Sequence, residues 1–283
     1  MNPKERTQKR PLGELRARRK RNRPDFTTEE GIDRRWAEGR GKGEGRDYFP
    51  WFLVPEFSSK GYRTMTMSAK FLRVIHLFST LEWLIFLLLE AAIEIVGLKE
   101  QVPLDREETR AIAEFLKTKH PNAFGTDVVM TTDFVVKVRR PDGTTIERAI
   151  AVKYSKDLRK RRVVEKLAIE QAYHLQQGHE FVIMTERSVP RELANNLTFV
   201  RAMLRPGAVD DISADTISRA DTCMRPLLGK TAWGKMVVDC DAKLQLRPGT
   251  AARIARHQIA TRAWAVDLTH PLLTRNPFRM ISS

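Results

Sequence analysis

Cysteine is nearly absent: Cys223 and Cys240 are the only two among 283 residues. Two thiols cannot build a disulfide framework, and neither stands at metal-ligand spacing from a histidine, so a disulfide-stapled scaffold and a Cys/His zinc site are excluded and a reducing cytosol is expected. Long apolar runs are missing too. The richest stretch, Leu81 to Leu98, is interrupted by Glu82, Glu90 and Glu94. Its longest uncharged part, Trp83 to Leu89, is far short of the ~20 residues a membrane span needs, so no membrane partner is expected. The chain opens on Met1-Asn2-Pro3-Lys4-Glu5-Arg6 with no apolar core to follow, unlike a secretory signal. His76, His120, His174, His179, His257 and His270 form no HxxxH or HExxH pair, which leaves surface or core roles for them. There is no Gly-x-Ser-x-Gly elbow for acyl transfer. The glycine run Gly39 to Gly45 lacks the Gly-Lys-Ser/Thr ending of a phosphate-binding loop and reads as a flexible basic loop.

Positive charge is what the sequence has in excess. Fifty Lys and Arg face 35 Asp and Glu, a net charge of +15, which attracts polyanions and points to nucleic acid. The excess is uneven. Residues 1–25 hold ten basic and three acidic side chains, residues 26–186 hold 25 and 24, and residues 187–283 hold 15 and 8. A near-neutral catalytic-type core between two DNA-affine ends follows, because neutralising phosphates supplies most sequence-independent affinity. The predicted division is a basic disordered arm over 1–25, a larger domain over 26–186 and a second small domain over 187–283. Arg18, Arg19, Lys20 and Arg21 in the arm, with Arg40 and Lys42 in the glycine loop, are the expected double-stranded DNA contacts. A solvated tail is the alternative for the arm.

The patterning predicts a short polar helix over 28–40 opening at Thr27 or Thr28, then an almost all-round apolar helix from Ser79 to about Gly97, with Leu81, Ile85, Leu88, Leu89 and Ile93 at helical spacing. A polar helix near 105–119 precedes two β-branched runs, Val128 to Val138 and Thr144 to Tyr154, joined by Pro141-Asp142-Gly143, a hairpin signal. Asp157 to Gln177 reads as an amphipathic helix with Val163, Val164, Leu167 and Leu175 inward and Gly178 as its C-cap, and Glu180 to Thr185 as a strand. Helix, strand, strand, helix, strand makes a mixed α/β sheet with helices against it. Beyond Arg187 the pattern is helical and basic, with breaks at Pro190, Pro206, Pro226 and Pro248.

Three residues are charged where burial is expected. Glu82 shares a helix face with Phe86, Leu89 and Ile93, where an isolated carboxylate is costly unless a cation or donors compensate it. It also completes Ser79-Thr80-Leu81-Glu82, a capping box in which it would serve its own helix. Asp133 lies in a strand, where aspartate is disfavoured, and so is a ligand or a turn edge. Lys153 ends Ala149-Ile150-Ala151-Val152-Lys153, either as a functional amine or as a strand-end lysine pointing to water. Two carboxylates, an amine and a strand carbonyl, here that of Val152, are the set that Mg²⁺-assisted phosphodiester hydrolysis needs. Glu165 and Glu170 on the following helix either support that site or form a solvated charged face.

Asp followed by (Glu/Asp/Gln)-x-Lys on the next strand is the pattern of the restriction-endonuclease-like, PD-(D/E)xK, nucleases. The words around it carry a closer likeness. Glu38-Gly39-Arg40-Gly41, Asp47-Tyr48-Phe49-Pro50-Trp51, His76-Leu77-Phe78-Ser79 with Leu81-Glu82, Glu100-Gln101-Val102-Pro103-Leu104, Thr132-Asp133-Phe134 and Glu165-Lys166-Leu167 with Glu170 resemble the TnsA nuclease subunits of bacterial heteromeric transposases, in the same order, over about residues 35–186. The resemblance implies a restriction-endonuclease-like mixed sheet flanked by helices, with a small mainly helical, winged-helix-like C-terminal domain. It implies Glu82, Asp133 and Lys153 as catalytic residues, Glu82, Asp133 and the Val152 carbonyl as ligands of Mg²⁺ (or Mn²⁺), and cleavage of the 5′ ends at transposon ends. It also implies work beside a TnsB-like DDE transposase and a TnsC-like AAA+ ATPase regulator, on nucleoid DNA in a bacterial cytoplasm. Two positions depart from the family: Ala151 stands where a Gln is common, and Thr80 where an Asp is usual. The alternatives are a restriction or recombination nuclease of the same fold, or a catalytically weakened DNA-bridging subunit.

Overall fold

The structure, a computed structural model, describes residues 23–57 and 62–281. The expected contacts Arg18, Arg19, Lys20 and Arg21 lie outside them. Helix α1, Glu29–Ala37, starts where Thr28 accepts from the Gly31 amide, and its inner face buries Ile32 and Arg35 against Trp51. Strands β1, Thr64–Ser68, and β2, Arg73–Leu77, form a hairpin with one buried face. Helix α2, Thr80–Ala91, follows, capped by Ser79, whose hydroxyl accepts from the Glu82 amide.

Here the sequence reading needs a correction. The apolar helix ends at Ala91 rather than near Gly97, and Ile95–Pro103 is strand β3. Ile93, assigned to the helix face, is 69% exposed in the turn between them. After α3, Arg106–Phe115, and the small hairpin β4, Asn122–Ala123, with β5, Thr126–Asp127, come the two central strands, β6, Thr131–Arg139, and β7, Thr145–Val152. Their connection closes through Gly143 at φ 85°, a backbone that the expected turn supplies without strain. Helix α4, Arg161–Gln176, crosses over to β8, Glu180–Met184. The sheet order is β3-β6-β7-β8, antiparallel except for the parallel pair β7 and β8 that the α4 crossover joins. It is thus a mixed sheet flanked by helices.

One face of this sheet buries Leu98, Phe134, Val136, Ile150 and Val152 under Leu81, Ile85 and Phe86 of α2. On α4, by contrast, Val164 and Leu175 point outward, 49% and 58% exposed, while Leu167, Ile169, Glu170 and His174 turn inward. The inner stripe of α4 is therefore partly polar, and of the two alternatives left open for Glu170 the solvated face does not hold. Gly178 does follow the helix at φ 75°.

Residues 191–281 are mainly helical: α5, Arg191–Arg201, α6, Ala214–Met224, α7, Trp233–Leu244, and α8, Thr250–Ala260. They enclose their own apolar cluster around Met224, Met236, Ile254 and Trp264. Strand pairing among the described residues here is one isolated bridge, Val266 with Met280.

Candidate active site

The site lies where β6 begins and β7 ends. Asp133 sits third in β6 and accepts at Oδ2 from the Val152 amide at 2.6 Å and the Lys153 ammonium at 2.9 Å. The same ammonium donates to the Val152 carbonyl at 2.8 Å. A carboxylate from one strand and a carbonyl from the next thus already converge on a positive charge, at present the protein's own lysine. Burial works against the Lys153 cation, but the charge of Asp133 and its hydrogen bond outweigh that and raise the amine above its ordinary value.

Glu82 arrives from α2, in the first turn of the helix, and is 6% exposed. It closes the start of its own helix, though not through the Ser79 amide that a capping box uses: Oε1 accepts from the Ser79 hydroxyl at 2.9 Å and Oε2 from the Phe78 amide at 2.9 Å. It also senses the site. Burial first, and the charge of Asp133 second, push its carboxyl up to about 7, while Lys153 pulls the other way. Cap and site share this side chain because α2 points its N-terminal turn at the end of the sheet. Gln101 of β3 completes the surroundings, its Nε2 donating to Glu82 Oε2 at 3.3 Å.

Of the two glutamates on α4, only Glu170 turns to the site. Glu165 pairs with Arg161 at 2.8 Å and Arg162 at 3.2 Å on the outer face. Glu170 is buried, its Oε1 has no hydrogen-bond partner, and burial together with Asp133 pushes its carboxyl up to about 8. The Thr132 hydroxyl supports it. That hydroxyl meets His174 Nε2 at 2.7 Å, His174 Nδ1 meets His179 Nδ1 at 3.1 Å, and His179 Nε2 reaches Glu147 at 3.2 Å. Burial pulls His174 down to about 4, so it is neutral at pH 7. Sequence reading passed over Thr132 and His174; a histidine one helical turn beyond Glu170 on the same face was the available signal.

Ala151 is fully buried in β7 and adds no donor or acceptor from its side chain. Among the described residues no three His, Cys, Asp or Glu side chains come together as a metal cluster. The expected DNA contact Arg40 is 7% exposed, with its guanidinium committed to Glu38, Glu56 and the Trp51 carbonyl, so it holds the N-terminal segment together instead of meeting phosphate. Lys42 is exposed.

Two family models match the chain. One described as TnsA-like endonuclease N terminal covers residues 94–186, and one described as TnsA endonuclease C terminal covers residues 188–268. Asp133, Lys153 and Glu170 fall within the first, and Glu82 precedes it. The transposon Tn7 transposition protein TnsA of Escherichia coli is 36% identical over 188 residues, which span 66% of this chain and 67% of that protein.

Proposed function

Because the chain belongs to the TnsA endonuclease family, we propose that it hydrolyses one DNA strand at each transposon end, at the 5′ side, with Glu82, Asp133 and Lys153 as its working groups. One observation carries this reading: Asp133 accepts from the Lys153 ammonium at 2.9 Å at the end of the central sheet, and both lie near enough for their charges to act on the buried carboxyl of Glu82, far away in the chain.

The donor set suits a hard divalent cation. Burial, and after it the charge of Asp133, drives Glu82 toward its neutral form, and another buried carboxylate, Glu170, keeps an unpartnered oxygen. Both are costs that a cation offsets. Asp133, Glu82 and the Val152 carbonyl would hold Mg²⁺ or Mn²⁺, which supplies a low-pKa water and neutralises charge building on the phosphate. Lys153 spends two of its three protons on Asp133 and Val152. The third remains for a phosphate oxygen or the attacking water. Glu170 lies buried at the rear of the site, beside the Thr132 hydroxyl that meets His174.

By the same reading the protein acts beside a DDE transposase that cuts the other strand and an ATP-dependent regulator that docks on residues 187–283, with end recognition coming from the partner. Its own binding of double-stranded DNA is then weakly specific and steeply salt-dependent.

The test pairs cleavage with binding. Asp133→Ala should abolish Mg²⁺-dependent cleavage of transposon-end DNA in the presence of the transposase subunit, with DNA affinity unchanged. Persistent cleavage would overturn the assignment. A parent chain that binds ends but never cuts would favour the bridging-subunit reading, for which Ala151 is the specific observation.

A further inference from the structure

Six non-glycine residues have left-handed backbone among the described residues, and five of them sit in turns or just past a helix end. The sixth, Gln101, has φ 49° inside strand β3. The ladder continues on both sides of it, Glu100 opposite Phe134 and Val102 opposite Thr132, so the strained residue lies across from Asp133. Its flanks hold it there. Arg73 binds both oxygens of the Glu100 carboxylate, at 2.9 and 2.5 Å, and the Trp51 amide donates to the Gln101 carbonyl at 3.2 Å.

The kink defeats the alternation of a strand, in which neighbours point to opposite faces. Glu100 and Gln101 are consecutive and both buried, at 0% and 5% exposure. What the kink gains is the contact of Gln101 Nε2 with Glu82 Oε2. Every other bond to that carboxylate comes from its own cap, Phe78 and Ser79. Among the described residues, Gln101 alone ties it to the sheet that carries Asp133.

A glycine would take this backbone without strain. A glutamine held there against its preference is the mark of a side chain that is needed. We propose that Gln101 is a positioning residue: its amide holds the Glu82 carboxylate toward Asp133, so that the two can share one cation. This rests on the metal-site reading above.

Two variants of the full chain test it, with Asp133→Ala alongside. Gln101→Gly relieves the backbone and removes the amide. Gln101→Met keeps backbone and length but cannot donate. For Gln101→Gly, metal-free thermal unfolding should occur at the same or a higher temperature. Calorimetric affinity for Mn²⁺ should fall ~10-fold or more in both variants, the size usual for an outer-shell partner of a metal ligand. The Mg²⁺ concentration giving half-maximal cleavage should rise in step, with the maximal rate restored at saturating metal. Unchanged Mn²⁺ affinity in Gln101→Met would overturn the proposal, as would cleavage lost at every metal concentration with affinity intact, which would put Gln101 on the reacting atoms. Should Gln101→Gly not fold, the methionine variant decides alone. If Asp133→Ala still cleaves, the metal-site reading itself fails; if it is dead while both Gln101 variants bind metal like the parent, only the positioning role fails.

Discussion

Glu170 shows how a single buried side chain makes the protein sensitive to pH. Its carboxyl titrates near 4.5 in an unfolded chain and is pushed up to about 8 in the fold, by burial and then by Asp133. An acid whose folded value lies above its unfolded one binds its proton more tightly in the native state. Its contribution to stability is therefore complete below about pH 4.5 and is lost as pH rises toward 8. Gln in its place keeps the shape and never ionises. In metal-free buffer Glu170→Gln should match the parent at pH 4 to 5 and melt higher at pH 9, on the order of 5 °C for a protein of this size. Melting curves at pH 5, 7 and 9 decide the point. A variant less stable than the parent at pH 9 would mean that the ionised carboxylate is well compensated and that its orphaned oxygen costs little.

The first turn of α2 serves two masters, and its cap can be perturbed separately from its ligand. Ser79 accepts from the Glu82 amide at 3.1 Å and donates to Glu82 Oε1 at 2.9 Å. Ser79→Ala removes both bonds and should cost about 1 kcal/mol, or roughly 2–4 °C in melting temperature. Ser79→Thr, which keeps the hydroxyl, should melt within about a degree of the parent. Equal losses in the two variants would show that packing rather than the hydroxyl matters at this position. The cap was legible in the sequence because Ser-x-x-Glu before an apolar run has one mechanical meaning. The end of α2 was not. Apolar residues continue from the helix into β3, and periodicity cannot separate a buried helix from a buried strand over so few residues. The central hairpin with Asp133 and Lys153 was legible from β-branched runs around Pro141-Asp142-Gly143. Gln101 stands in one of the words that carry the family resemblance, but its left-handed backbone and its reach to Glu82 were not legible, since they depend on Arg73, Trp51 and the neighbouring strand. The inner face of α4 was misjudged at Val164 and Leu175, which are exposed, because the buried stripe includes the polar Glu170 and His174 and so does not follow the apolar residues.

At the scale of the molecule, α2 joins the two parts of the chain. Its first turn carries Glu82, and two turns later Glu90 meets Arg201, the last residue of α5, at 2.5 Å. The guanidinium also donates to the Met67 carbonyl at 2.7 Å and the Thr66 hydroxyl at 3.0 Å, and lies over Trp83 and Phe86. Ser68 takes the other oxygen of Glu90 at 2.6 Å. Both partners of the ion pair are buried, so removing one leaves a buried charge without its counter-ion, at about 3–5 kcal/mol. Arg201→Ala should therefore lower the melting temperature by roughly 10 °C and open the segment between Met184 and Arg191 to protease. Lysine should not restore it, since one ammonium cannot reach Glu90, Thr66 and Met67 together as a planar fork does. Glu90→Leu combined with Arg201→Met removes both charges and keeps the apolar bulk, and should recover most of the loss. A single Arg201→Ala variant that melts and digests like the parent would show that the apolar contacts between α2 and α5 suffice alone. In that case the ion pair would not fix the helical part onto the helix that carries Glu82.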